Sequence, residues 1–377
     1  MELNLSSLFV YLSSLVVSLF FVSLAERYKG QLYGNRMISF QGSTIGIQKC
    51  FFAYAFAFIP FWIIAAFRDK SVGVDAHGTY LRIFRYVLYG ENAKHFNVLN
   101  SEGGYFWLNK LCVLLSDSYQ IVLVVSATII WFCYYVYIIK NSSNCFLSIL
   151  VLFFSFTYFH TFNGIRQYLA IAIFLCGVKN IYKRNFWGYL FFLLVAMTFH
   201  KSVIILLPLY FIYGIKIKPT WVFASILGSI LFMRFGRGIL AFVLKNSKYG
   251  VTFISKAAYS TGFAWSDFIC NSVLLICGLI VVTKSKEHDK GFEFNVLLQL
   301  IAVIIAVNSN MLPIPYRLLW YANFNTMIYI PQLFEKITLR VNRLIIEIGM
   351  MLMYIGYFFY YWIAEVDGIQ KFSFWIS

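Results

Sequence analysis

Charge is what this sequence has least of. Asp, Glu, Lys and Arg make up 12% of its 377 residues, against about 25% in a soluble domain. That scarcity excludes an ordinary soluble fold. Cysteine is sparse and scattered: Cys50, Cys112, Cys133, Cys145, Cys176, Cys270 and Cys277 lie mostly inside apolar runs. None stands in a CxxC or other ligand spacing, so they read as small packing residues. The GxGxxG, P-loop and HExxH patterns are missing, which leaves nucleotide-driven and zinc-protease chemistry without support. Residues 1 to 24 are apolar but lack a basic start and a small-residue cleavage site, so they read as a retained helix. Alternating segments of about ten residues are missing, which excludes a transmembrane barrel. No internal repeat and no soluble domain is visible, and residues 1–377 read as one integral membrane domain.

What is present is apolar sequence: 61% hydrophobic and 20% aromatic residues, with a mean hydropathy of +0.74. Runs long enough to cross about 30 Å of hydrocarbon recur along the chain. The expected fold is an all-α polytopic membrane protein of about 12 transmembrane helices. The runs are Leu5 to Leu24, Cys50 to Phe67, Gln120 to Ile139, Cys145 to Phe162, Arg166 to Tyr182 and Phe186 to Phe199. They continue with Val203 to Tyr213, Trp221 to Met233, Asp267 to Thr283, Phe294 to Asn308, Leu318 to Phe334 and Leu344 to Ile363. Phe186 to Phe199 and Val203 to Tyr213 are both short, so their shared turn at His200 is expected below the membrane surface. Two long polar loops, about 68–118 and 234–266, interrupt the series. Within the first, Tyr105 to Leu115 is too short to span and suits an interfacial or re-entrant piece. Glu102-Gly103-Gly104-Tyr105 suits a hinge, a helix start or a plain loop, and the plain loop is favoured.

The net charge of +16 would suggest nucleic acid in a soluble protein, but here the positive-inside rule accounts for part of it. The short loops after the odd-numbered helices each carry Lys or Arg. That predicts those loops in the cytoplasm and both termini outside. Roughly half of the 31 basic residues then lie on the outer side, where the rule does not require them. With that topology Arg68, Asp69, Asp75, His77, Arg166, His200, Lys201, Arg234, Arg237 and Arg317 share one face. Ionisable groups converging at the mouth of a bundle mark a functional-site hypothesis.

Arginine presents a planar fork to phosphate and stays charged, so several in an external cavity suit an anionic, lipid-linked substrate. Arg68, Arg166 and Arg317, each at a helix end, are the expected diphosphate ligands, with Arg234 and Arg237 second. Asp69, Asp75, His77 and His200 are the candidate bases for a hydroxyl nucleophile, with Asp75 and His200 foremost. Asp69 is expected to orient Arg68. His77 and Asp75 are two residues apart but lack further ligands, so no metal is expected. His160 reads as a packing histidine, and His95 and His288 as solvated loop residues.

In this order along the chain stand Arg68-Asp69 with Val72-Gly73-Val74-Asp75 and Tyr80; Glu102-Gly103-Gly104-Tyr105; Phe162-Asn163-Gly164-Ile165-Arg166-Gln167 with Leu169-Ala170; and Ala196, Phe199-His200-Lys201-Ser202 and Pro208. Pro315-Tyr316-Arg317 is a weaker fifth piece. Together they resemble the EpsG-like family of bacterial polysaccharide polymerases, within the broader Wzy-type O-antigen and capsule polymerase group. The likeness covers roughly Phe67 to Tyr213 well. One departure is Asp75-Ala76-His77, where such sequences usually have Asp-Thr. The resemblance adds Asn163, Gln167 and Tyr316 to the cavity candidates beside Lys201.

It implies a metal-independent glycosyltransferase of GT-C-like architecture, without cofactor, at the outer face of the bacterial inner membrane. A growing glycan would pass from undecaprenyl diphosphate to the non-reducing end of a repeat unit on the same lipid. Membrane lipids and a polysaccharide chain-length regulator are the further expected partners, and nucleic acid is not. The alternatives are an O-antigen ligase, which differs only in acceptor, and a transporter or flippase of lipid-linked oligosaccharide. The latter predicts internal symmetry and mid-membrane charge. A membrane acyltransferase would rest on His200 alone.

Overall fold

The computed structural model describes residues 4–34, 40–90, 102–244, 262–285, 287–312, 314–337, 340–365 and 367–375. His95, and Lys245, Lys248 and Lys256 of the second expected loop, lie outside them. Among the described residues the regular structure is helical apart from one isolated antiparallel bridge, Arg68 to Phe374. The chain is a helical, multi-pass membrane protein. It divides into two compact units, Met1–Leu207 with Tyr354–Ser377, and Pro208–Met353.

The first unit opens with α1 (Leu5–Gly34) and α2 (Phe40–Phe67), followed after the site segment by α3 (Leu81–Tyr89) and α4 (Gly103–Leu115). Then come α5 (Gln120–Asn141), α6 (Cys145–Phe154), α7 (Thr157–Asn163), α8 (Ile165–Gly177), α9 (Lys179–Tyr182) and α10 (Phe186–Phe199). Polar side chains set the boundaries. Asn144 accepts from the Leu147 amide at 3.0 Å and starts α6. Asn185 accepts from the Gly188 amide at 3.0 Å and starts α10. Both satisfy donors that a helix N-terminus leaves open. The core is aromatic: Phe61, Trp131, Phe153 and Tyr158 are fully buried, and Tyr158 lies 4.6 Å from Phe61 and 4.9 Å from Trp131, centroid to centroid. Edge-on and tilted ring pairs of this kind add attraction beyond their buried area, which matters where lipid removes much of the hydrophobic drive between helices.

All twelve expected apolar runs are helical, but they are not twelve spans. Among the described residues, seven helices of at least 18 residues are apolar enough to cross a membrane, or eight if one bent pair counts as a span. That pair is α6 and α7, bent by 52°. The bend falls at Ser155-Phe156, where Phe156 takes a left-handed φ of 63° that an α-helix cannot continue through. The run after Arg166 is divided at Val178 into α8 and α9. The run Phe186 to Phe199 gives only 14 helical residues, about 21 Å at 1.5 Å per residue. The run after Lys201 starts as a 3-10 turn over Lys201–Leu206.

The first expected loop carries helices where its sequence has an amphipathic piece near Tyr80 to Tyr89 and the short piece Tyr105 to Leu115. It holds a π-helical turn (Ala76–Tyr80), α3 and α4. The C-terminal tail, expected only as an end, is stitched back instead. The Trp375 amide donates to Phe67 O at 2.9 Å and the Asp69 amide to Ser373 O at 2.9 Å. The Tyr11 hydroxyl donates to Ile369 O at 3.1 Å.

The second unit contains α11 (Leu209–Ile212), α12 (Pro219–Leu244), α13 (Trp265–Lys284), α14 (Lys290–Val307), α15 (Pro315–Ala322) and α16 (Thr326–Lys336). Helix α17 (Arg340–Ala364) follows. The run Leu318 to Phe334 is broken between α15 and α16 at Asn323–Asn325. Arg234 and Arg237 stand on α12 rather than in the loop expected from residue 234. His288 is no free loop residue: its Nδ1 lies 2.5 Å from the buried Glu293 carboxylate, which also accepts from the Ile217 amide at 2.7 Å.

Candidate functional site

The segment after α2 turns at Gly73, whose φ of 101° lies where only glycine is unstrained. A Cβ there would stand 3.0 Å from Phe162 O and 3.2 Å from Asn163 Oδ1. The glycine therefore lets this segment lie against the end of α7. Asn163 holds it there. Its Oδ1 accepts from the Asp75 amide at 3.1 Å, and its Nδ2 donates to Asp367 Oδ1 at 2.6 Å and Asp367 O at 2.9 Å. The other Asp367 oxygen lies 2.7 Å from His160 Nδ1. Both side chains are buried. His160 is therefore a buried packing histidine whose ring nitrogen is satisfied by Asp367.

A second constellation centres on Glu102, the residue before α4. Gly104 lets α4 approach α10 closely, because a Cβ at that position would overlap Thr198. The approach carries Glu102 to the C-terminal end of α10. One Glu102 oxygen lies 2.8 Å from His200 Nδ1 and also accepts from the Lys201 amide at 3.3 Å. The other accepts from Arg166 Nη1 at 2.5 Å. The Glu102 side chain is only 8% exposed, and those of Arg166 and His200 are 18% and 17% exposed. The Arg166 guanidinium also stands 5.7 Å from the Tyr80 ring centroid, and Tyr80 packs edge-on against Tyr105 at 5.6 Å. Arg166 Nε is buried without a hydrogen-bond partner among the described residues.

Burial alone would raise the Glu102 pKa. The His200 hydrogen bond, the Arg166 charge and the Lys201 amide outweigh it and hold the carboxyl below its ordinary range. Glu102 is thus an anion at neutral pH. It fixes the tautomer that has the His200 proton on Nδ1, leaving Nε2 as an acceptor. A carboxylate behind an imidazole, with a cation alongside, is an arrangement able to remove a proton from a hydroxyl next to a negatively charged group.

Arg166, His200 and the Lys201 backbone are therefore brought together, and Glu102, read from sequence as plain loop, is what joins them. Its signals in the sequence were its place in the Glu102-Gly103-Gly104-Tyr105 piece of the family resemblance and its being an acid in a chain with few acids. Arg68 does not share that cluster. It is 3% exposed, lies 4.5 Å from the Phe162 ring centroid, and donates to Ala65 O and to Phe162 O, the latter at 3.3 Å. Asp69 does not orient it: Asp69 accepts from the Ser71 amide at 2.8 Å. Asp75 is half-buried at the start of the π-helical turn, His77 is exposed on that turn, and Gln167 is buried on α8.

Tyr316 and Arg317 open α15 in the second unit, with Tyr316 5.5 Å from Trp320. Arg234 is exposed on α12, and the Arg237 side chain lies outside the described ones. Among the described residues, no three His, Cys, Asp or Glu come together at metal-ligand spacing. His160 and Asp367, 207 residues apart, were missed because only the fold returns the tail to α7.

The model of the EpsG family matches residues 51–374. No curated protein and no solved structure matches.

Proposed function

Because this chain belongs to the EpsG family, we propose that it is a polysaccharide polymerase in which His200, Glu102 and Arg166 form the reacting centre. The single observation that carries this reading is the Arg166–Glu102–His200 constellation. It joins three separate stretches of the first unit into one partly exposed cluster. The donor is a glycan chain on undecaprenyl diphosphate and the acceptor is a repeat unit on the same lipid. His200 Nε2 takes the proton of the acceptor hydroxyl at its non-reducing end. The hydroxyl oxygen bonds to the donor's anomeric carbon, the bond from that carbon to the diphosphate oxygen breaks, and undecaprenyl diphosphate leaves.

Negative charge grows on the leaving diphosphate, and a fixed guanidinium stabilises it. Arg166 is the favoured donor. One of its nitrogens is engaged by Glu102, while its Nε is without a hydrogen-bond partner among the described residues. Arg68 is the weaker candidate, being enclosed by Phe162 and backbone carbonyls, and its part is to hold the turn before Gly73. Asp75 is the second candidate base, anchored through its amide by Asn163. Arg317, Arg234 and Arg237 stay candidates on their sequence context alone, as does the GT-C-like architecture. A site on the outer face of the inner membrane belongs to this reading through the family resemblance, since the alternation of basic loops counted twelve spans and only seven or eight of the described helices qualify.

The test is polymerisation by purified protein given synthetic undecaprenyl-diphosphate repeat units, with Arg166→Ala and His200→Ala in parallel. A ladder from the wild type, lost in both variants while they remain folded, is the expected result. A folded wild type that makes no ladder from its cognate repeat refutes the polymerase, and a ladder that persists in His200→Ala moves the base to Asp75.

A further inference from the structure

A second polar cavity opens in the first unit on residues that the proposed chemistry does not use. It encloses about 250 Å³ between the end of α2, the outer side of α3 and the start of α5. Its rim carries both signs of charge, Asp69 and Asp117 with Lys70 and Arg85. Two large aromatics, Tyr89 and Trp375, also line it and are 69% and 40% exposed. Trp375 is fixed there: its amide donates to Phe67 O, beside the Arg68–Phe374 bridge. Tyr89 closes α3, just before Gly90 with φ 66°. The inner wall is Leu81, Phe84 and Tyr119. Tyr119 is 6% exposed, and its hydroxyl has no hydrogen-bond partner among the described residues.

We propose that this cavity is a carbohydrate subsite, holding one sugar ring of the glycan against Trp375 and Tyr89 with its hydroxyl groups on Asp69, Asp117 and Arg85. The choice of ligand rests on the polymerase reading; the site itself is distinct from the Glu102 centre.

Three features select a sugar. The volume lies below the roughly 300–1,000 Å³ of pockets for drug-sized ligands, which suits a single ring. Exposed aromatic faces beside charged groups match a ligand whose one side is C–H and whose edge is hydroxyl. Carboxylates accept two hydrogen bonds side by side, and a guanidinium donates two, which fits vicinal hydroxyls. The carboxylates also argue against an anionic phosphate or lipid headgroup, because each would face it with like charge. Asp69 is ionised at neutral pH: burial pushes it up, but the Ser71 hydrogen bonds and the Lys70 charge more than reverse that. The rival is that Trp375 and Tyr89 only anchor the protein at the membrane interface, where such residues are enriched.

The experiment is saturation-transfer NMR on the full-length protein in lipid nanodiscs, probed with free glucose, galactose, N-acetylglucosamine and rhamnose. The expected result is transfer to at least one of these sugars. It falls about three- to tenfold, the weight of a lost hydrogen bond or ring contact, in Trp375→Ala and in Asp117→Asn. Transfer stays at the wild-type level in Arg166→Ala, which separates this site from the reacting centre. Thermal unfolding of each variant checks folding, and Asp117→Asn, at an exposed position, serves if Trp375→Ala is unstable. No transfer to any sugar, or equal transfer in wild type and both cavity variants, overturns the proposal; in the latter case the aromatics are interface anchors. Loss of polymerisation with sugar binding intact bears on the reacting centre alone.

Discussion

The Glu102→Gln substitution tests the reacting centre most directly, because it removes one charge and almost no volume. In the wild type the carboxylate receives the Arg166 guanidinium at 2.5 Å, His200 Nδ1 at 2.8 Å and the Lys201 amide at 3.3 Å. Glutamine keeps one acceptor oxygen but turns an NH₂ toward the other donor. A hydrogen bond to a charged group contributes about 1.5–3 kcal/mol, and breaking a fully buried ion pair costs about 3–5 kcal/mol. The Arg166 side chain is 18% exposed, so water compensates part of the loss and the lower end applies, about 2–3 kcal/mol.

The effect on rate should be larger. His200 loses the carboxylate that fixes its tautomer and orientation, and general-base catalysis is worth about 10²–10⁴-fold. The assay is the initial rate of ladder formation from lipid-linked repeat units, with unfolding in detergent measured alongside. Glu102→Gln combined with His200→Ala should be little slower than His200→Ala alone, since both remove one dyad. A folded Glu102→Gln protein with wild-type rate, or a stability loss below about 0.5 kcal/mol, would refute the reasoning.

Three further outcomes follow from the same geometry. Because the Glu102 pKa is held down in the fold, its stabilisation is complete above the unfolded value of about 4.3. It is lost as pH falls through the lower folded value, so thermal stability should decline at acid pH with a limb missing from Glu102→Gln; an unchanged limb excludes Glu102 as its source. Gly104→Val should prevent α4 from closing on Thr198, costing roughly 1–3 kcal/mol or more as overpacking, with partial recovery by Thr198→Gly; melting temperatures that do not respond to the second change contradict this contact. Asp367→Ala should cost about 1.5–3 kcal/mol by removing the carboxylate that His160 and Asn163 share, while the Asn163 bond to the residue 367 carbonyl remains, read by unfolding in detergent; a cost within 0.5 kcal/mol, ordinary for a surface site, would mean that this carboxylate does not hold the Asn163 turn.

The sequence by itself determined the class of protein, because a bilayer demands runs of apolar residues that satisfy their own backbone hydrogen bonds, and such runs are legible without a fold. It also marked Arg166 and His200, since charge at the ends of apolar runs is conspicuous. The shortness of the runs Phe186 to Phe199 and Val203 to Tyr213 was legible too, but a continuous span was not told from a bent one: Phe156 breaks one run through a backbone angle that its side chain does not announce. Only the tertiary structure decided who partners whom. Glu102 lies 64 residues from Arg166 and 98 from His200, and Asp367 lies 204 from Asn163. Pairing over such separations is fixed by how helices pack, through contacts such as Gly104 against Thr198, and not by local pattern. For the same reason Arg68, which local pattern placed among the diphosphate ligands, is buried against Phe162. An arginine at the end of an apolar run looks the same in sequence whether it faces solvent or turns inward onto a ring.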